Sequence, residues 1–273
     1  MFELIAELFS YSFITRALLV GTLVALCASL LGITLVLKRY SMIGDGLSHV
    51  GFGTLAIAMS LNLAPLQVSI PIVLLAAFLL LRLSENSKIK GDSAIALISS
   101  SALAIGVMVI SLTTGINADV CNYMFGTILA LSMSDLYLSI IVSVVVLALY
   151  FIFYNKIFTV TFDENFAKAT GVKTNIYNML IAFLTALIIV IGMRMMGAML
   201  ISSLIIFPAL TSMQVFSSFK KVVICSAILS VVCFFIGIVL SFALSTPAGA
   251  SVVVINLLAF LIFTVIGKIH VKR

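Results

Sequence analysis

Long apolar runs alternate along this chain with brief polar breaks, and the breaks carry most of the charge. A helix crossing a bilayer needs roughly 20 mostly apolar residues, because each adds about 1.5 Å against a hydrocarbon core about 30 Å thick. Runs of this kind predict helical spans at about 17–37, 66–81, 92–112, 136–154, 176–192, 197–215, 222–244 and 251–267. A shorter, glycine-rich run at about 46–61 predicts one more. Residues 123–132 form an apolar run too short to cross, which reads as re-entrant or interfacial. The expectation is about nine spans, within a range of eight to ten.

Local signals mark several of the ends. Lys38-Arg39 closes the first run, and Asp92 suits a helix N-terminus. Pro208 falls inside its span, where the missing donor is expected to kink or interrupt the helix. Ahead of the first span, residues 2–14 alternate loosely and predict an interfacial segment over 1–15. Glu3 and Glu7 stand where a cleaved leader would be basic, and the run after Arg16 is too long for a leader core.

Composition fixes the class. Hydrophobic residues make up 63% of the 273 and charged residues only 9%, against roughly 25% charged in a soluble domain. With a mean hydropathy of +1.36, the chain reads as an all-α integral membrane protein, a polytopic helical bundle rather than a barrel. The longest polar stretch, about 156–175, leaves no room for a soluble domain, so 1–273 reads as one transmembrane domain. The four cysteines, Cys27, Cys121, Cys225 and Cys233, show no Cys-x-x-Cys spacing and read as small apolar residues.

A net charge of +6 raises the question of nucleic acid, but the basic residues come in pairs and triplets between apolar runs, with no continuous basic patch. If the breaks after spans one, three, five and seven share a side with the tail, that side holds 13 of the 15 basic residues. The positive-inside bias makes it cytoplasmic, with the C-terminus inside and the N-terminus outside. Arg16 and Arg194 are the exceptions, and Arg194 is expected to snorkel to the opposite surface.

Asp45 and His49 carry the candidate chemistry. On a helix, positions four apart stack on one face, and ionisable groups at membrane depth usually line an ion or substrate path. One reading makes Asp45 the cap of the second span and His49 a satisfied polar group. The other makes the pair a transient site for zinc, manganese or iron, all of which accept imidazole nitrogen and carboxylate oxygen. Two ligands bind weakly, which suits a transporter whose ion must leave again. The surrounding Gly44, Gly46, Gly51 and Gly53 either bring helices together or free carbonyls toward a cavity. No Ser/His/Asp set or His-Glu-x-x-His motif suggests catalysis; an intramembrane hydrolase built on Asp45 or His49 is the rival from another class.

The polar segment 161–174 predicts a short amphipathic helix, with Asp163 as N-cap and Gly171 as C′ stop. Phe166, Ala167 and Thr170 can share one of its faces. It reads either as a solvated loop helix or as a knob that docks into a partner.

The motif Arg39-Tyr-Ser-Met-Ile-Gly-Asp45-Gly-Leu-Ser-His49 resembles the stretch after the first span in permeases of the bacterial zinc/manganese/iron uptake ABC transporter family. Gly91-Asp-Ser-Ala-Ile-Ala, Phe125-Gly-Thr-Ile-Leu-Ala130, Phe162-Asp-Glu-Asn-Phe-Ala-Lys-Ala-Thr-Gly171, Gly197-Ala-Met-Leu, Leu204-Ile-Ile-Phe-Pro208-Ala and Pro247-Ala-Gly-Ala are similar to that family in the same order. The resemblance implies a type II importer permease fold in the bacterial cell membrane. It implies a homodimer served by two cytoplasmic ABC ATPase subunits and an extracytoplasmic metal-binding protein. ATP hydrolysis would belong to the ATPase, and the divalent ion would be cargo rather than a permanent cofactor. Asp45 and His49 would line the metal path. Asp163, Glu164, Phe166, Ala167, Lys168 and Gly171 would belong to the coupling helix that fits the ATPase. Many relatives carry alanine after the aspartate and proline after the histidine, where this chain has Gly46 and Val50; zinc, manganese and iron stay open. The runner-up is an ABC permease for a metal chelate or an organic cofactor.

Overall fold

The structure, a computed structural model, describes residues 12–86, 91–113 and 133–271. Eleven helices are described: α1 (Ser12–Leu37), α2 (Met42–Ser60), α3 (Pro65–Asn86), α4 (Gly91–Leu112), α5 (Met133–Ile152), α6 (Tyr154–Phe162), α7 (Glu164–Ala169), α8 (Thr174–Met196), α9 (Ala198–Met213), α10 (Phe219–Leu244) and α11 (Ala248–Val271). Seven of them, α1, α3, α4, α5, α8, α10 and α11, are long and apolar enough to cross a membrane. The helices standing for the second and seventh expected spans are α2 and the 16-residue α9; neither is among those seven. The expected run 123–132 and most of the interfacial segment lie outside the described residues, while residues 12–15 form the first turn of α1.

Helices α1 and α8 are apolar on every side, and the bundle is built around them. Val20, Val24, Leu31, Ile33 and Leu35 of α1 are buried together with Ile188, Ile189, Ile191 and Met193 of α8. Around them, α1 meets α5, α8, α9 and α10, while α8 also meets α2, α3 and α9. Helices α3, α4, α5 and α11 turn Leu75, Leu97, Ile141 and Leu261 outward, as helices facing lipid do. In lipid the pull between helices comes from close packing rather than from water exclusion, which favours small residues at contacts. Gly53 of α2 shows the consequence: a Cβ there would stand 2.6 Å from the Ala102 carbonyl oxygen of α4. Gly46 and Gly51 likewise pack on Ile95 and Met193. These three glycines sit at helix contacts, as the packing reading expects.

Pro208 does not interrupt its helix. It is buried within a continuous α9, and α8 passes into α9 through Gly197 at φ 87°. The polar segment before α8 holds two helices rather than one. Tyr154–Phe162 and Glu164–Ala169 are divided at Asp163, whose extended backbone (φ −146°, ψ 95°) ends one and starts the other.

Candidate functional site

Four residues, Lys38 to Ser41, link α1 to α2. The turn is tight: the Tyr40 amide donates to the Leu35 carbonyl at 2.8 Å and the Ile43 amide to the Tyr40 carbonyl at 3.0 Å. Helix α2 starts at Met42, so Asp45 lies inside its first turn. It is not the cap of this helix; Ser41 occupies that position. A carboxylate in a first turn is favoured by the helix dipole.

Between Ile43 and Ala56 every residue of α2 is buried except Asp45 and His49. The i, i+4 stacking expected from their spacing is present. His49 Nε2 stands 3.5 Å from Asp45 Oδ2, with the two side chains 23% and 44% exposed respectively. Two ligands bound at 2.0–2.2 Å with a tetrahedral angle between them lie about 3.4 Å apart, so the separation suits two adjacent vertices of one ion. The Ser202 hydroxyl of α9 faces Asp45 but falls short of a hydrogen bond. Among the described residues, no three His, Cys, Asp or Glu side chains gather to hold an ion. A tighter site would need ligands from outside this set.

The second constellation centres on α7. Asp163 caps it as expected, accepting from the Phe166 amide at 2.9 Å. Its end is a Schellman motif: the Gly171 amide donates to the Lys168 carbonyl and the Val172 amide to the Ala167 carbonyl. Gly171 sits at φ 80°, where a side chain would be strained. Ala167 is buried while Phe166 is 59% exposed, so these two do not share a face. A second exposed aromatic, Phe162 at the end of α6, packs on Phe158 at 4.9 Å between centroids.

Glu164 joins α7 to the bundle. Its Oε1 pairs with Lys168 Nζ at 2.9 Å, and its Oε2 lies 3.4 Å from Lys38 Nζ. Partial burial pushes the Glu164 carboxyl up, but the hydrogen bond from Lys168, the charge of Lys38 and the hydrogen bond from Asn178 outweigh it and hold the group below its ordinary 4.5. The Lys38 ammonium also donates to Asn178 Oδ1 near the N-terminal end of α8.

At the other end of α8, Arg194 does not snorkel. Its guanidinium pairs with Asp135 Oδ2 of α5 at 2.9 Å, the side chains being 20% and 11% exposed. Asp135 and Asn178 could have been found in the sequence, since each is a polar group just inside an apolar run. Nothing in the sequence named their partners.

This chain is 31% identical over 260 residues to the manganese import system permease protein ScaB of Streptococcus gordonii, covering 95% of this chain and 93% of ScaB. It is 29% identical over 246 residues to the high-affinity zinc uptake system membrane protein ZnuB of Haemophilus influenzae, covering 90% of this chain and 94% of that protein. Among solved structures, PsaBC from Streptococcus pneumoniae in complex with Fab superposes with a TM-score of 0.85 at 31% identity, covering 96% of this chain and 94% of that one. The described helices thus adopt an ABC transporter permease fold. With the ABC 3 transport family matching residues 10–267, the chain belongs to that family.

Proposed function

We propose that this chain is the membrane-spanning subunit of an ATP-driven importer of a divalent transition metal ion, zinc, manganese or iron, and that the ion passes Asp45 and His49 where two copies meet. One observation carries the reading: from Ile43 to Ala56 helix α2 is buried except at a carboxylate and an imidazole, spaced for one ion. A wholly structural pair would be sealed against neighbours, because an ionisable group in an apolar wall is costly. A second copy would bring a second pair and raise the ligand set from two to four. The names of ScaB and ZnuB support a metal cargo.

Helix α7, with Asp163, Glu164, Phe166, Ala167, Lys168 and Gly171, is the coupling helix in this reading. Exposed Phe166, together with Phe162 at the end of α6, is its contact with a separate ABC ATPase, which hydrolyses the ATP. Helices α2 and α9 join the seven long apolar helices to complete nine passes through the bacterial cell membrane, with the C-terminus cytoplasmic. An extracytoplasmic binding protein delivers the ion, and no cofactor stays bound. Replacing Asp45 and His49 together by alanine tests the site: isotope uptake is expected to vanish while the amount in the membrane is unchanged. Normal uptake by this variant overturns the assignment. Competition among zinc, manganese and iron in the unmutated importer names the cargo.

A further inference from the structure

The docking helix and the metal helix are separate elements, and one side chain reaches from the neighbourhood of the second to the first. We propose that Lys38 is the positioning residue that passes movement of α7 to the Asp45–His49 helix. The inference rests on the reading of α7 as the ATPase-docking element and goes beyond it by naming the route.

Three observations carry it. Lys38 is nearly buried, its side chain 9% exposed, and lies 3.4 Å from Glu164 Oε2. The same ammonium donates to Asn178 Oδ1, and the Asn178 amide donates back to Glu164 Oε2 at 3.4 Å. A single carboxylate of α7 therefore holds both the α1–α2 link and the N-terminal end of α8. In a shielded position, a charge that loses its partner is costly, so the ammonium follows the carboxylate.

The link has no slack. Besides the bonds of Tyr40 and Ile43, the Lys38 amide donates to the Thr34 carbonyl at 3.0 Å and the Arg39 amide to the Val36 carbonyl at 3.1 Å. Arg39 is held at φ 61°, a conformation that side-chain-bearing residues seldom adopt. Displacing Lys38 therefore displaces the first turn of α2, in which Asp45 stands. Helix α8 offers a parallel route, because its Met193 packs on Gly51 of α2.

The test uses the complete complex of permease, ATPase and binding protein in proteoliposomes, with ions moved per ATP hydrolysed as the readout. Lys38→Met is expected to keep ATP hydrolysis, and in both Lys38→Met and Glu164→Gln the ions moved per ATP hydrolysed are expected to fall on the order of tenfold. The exchanged pair, Lys38→Glu with Glu164→Lys, is expected to restore much of it. A residue that merely braces the fold would lower hydrolysis, uptake and assembled complex together, at an unchanged ratio, and that result overturns the proposal. If Lys38→Met does not assemble, Glu164→Gln, on a partly exposed side chain, decides alone. If the unmutated complex moves no metal, the functional reading fails, and hydrogen exchange over residues 38–49 still tests Lys38. ATP must change that exchange in the unmutated complex and not in Glu164→Gln; an equal change in both overturns the proposal.

Discussion

Replacing Arg194 by methionine would take the guanidinium away from the Asp135 carboxylate in a buried position. Exposed ion pairs are worth about 0.2–1 kcal/mol, whereas removing one member of a buried pair costs about 3–5 kcal/mol. With the side chains 11% and 20% exposed and 2.9 Å apart, the pair belongs near the lower end of the buried range, about 3 kcal/mol. Helix ends add to this, since Asp135 lies in the first turn of α5 and Arg194 in the last turn of α8, each favoured by the dipole there. At about 2–4 °C per kcal/mol for a chain of this size, Arg194→Met is expected to lower Tm by about 6–12 °C. The double variant Asp135→Leu/Arg194→Met strands no charge and is expected to lose about 1 kcal/mol or less, since apolar replacement of a buried pair is often neutral. Thermal unfolding in nanodiscs measures both. A single variant that shifts Tm by less than about 2 °C, the scale of an exposed pair, would refute the reasoning. So would a double variant less stable than the single.

Two further outcomes follow from the same geometry. The Glu164 carboxyl is held below its ordinary 4.5, so its anchoring of α7 is fully present above that value and is lost as pH falls through the lower folded value. Protection from hydrogen exchange over 164–172, taken against the intrinsic rate at each pH, should therefore be flat above about pH 5 and fall below it, and Glu164→Gln should remove the dependence. At Gly53, a methyl group would meet the Ala102 backbone oxygen at 2.6 Å, which cannot turn aside as a side chain could. Gly53→Ala should cost about 1–3 kcal/mol of stability by forcing α2 and α4 apart; an unchanged Tm would show that the contact yields easily.

Much of this fold was legible because hydrocarbon leaves the backbone few choices: every donor must be met within a helix, so apolar runs and helices coincide. The Asp45–His49 stack and the Asp163 and Gly171 caps were legible for a related reason, since each depends only on residues within a single helix or its flanks. What escaped were contacts joining distant segments, and the basic residues show why. A lysine at the end of a span orients the chain, and so does one that binds an acid from another helix; both leave the same trace in the sequence. Packing separates them. Arg39, Lys156, Lys220, Lys221 and Lys268 are exposed, as charges that only set orientation should be. Lys38 and Arg194 are largely withdrawn from the surface onto Glu164 and Asp135. A cation that only needed to mark a side would have no reason to give up its water, so these two carry a second role, one at each end of α8.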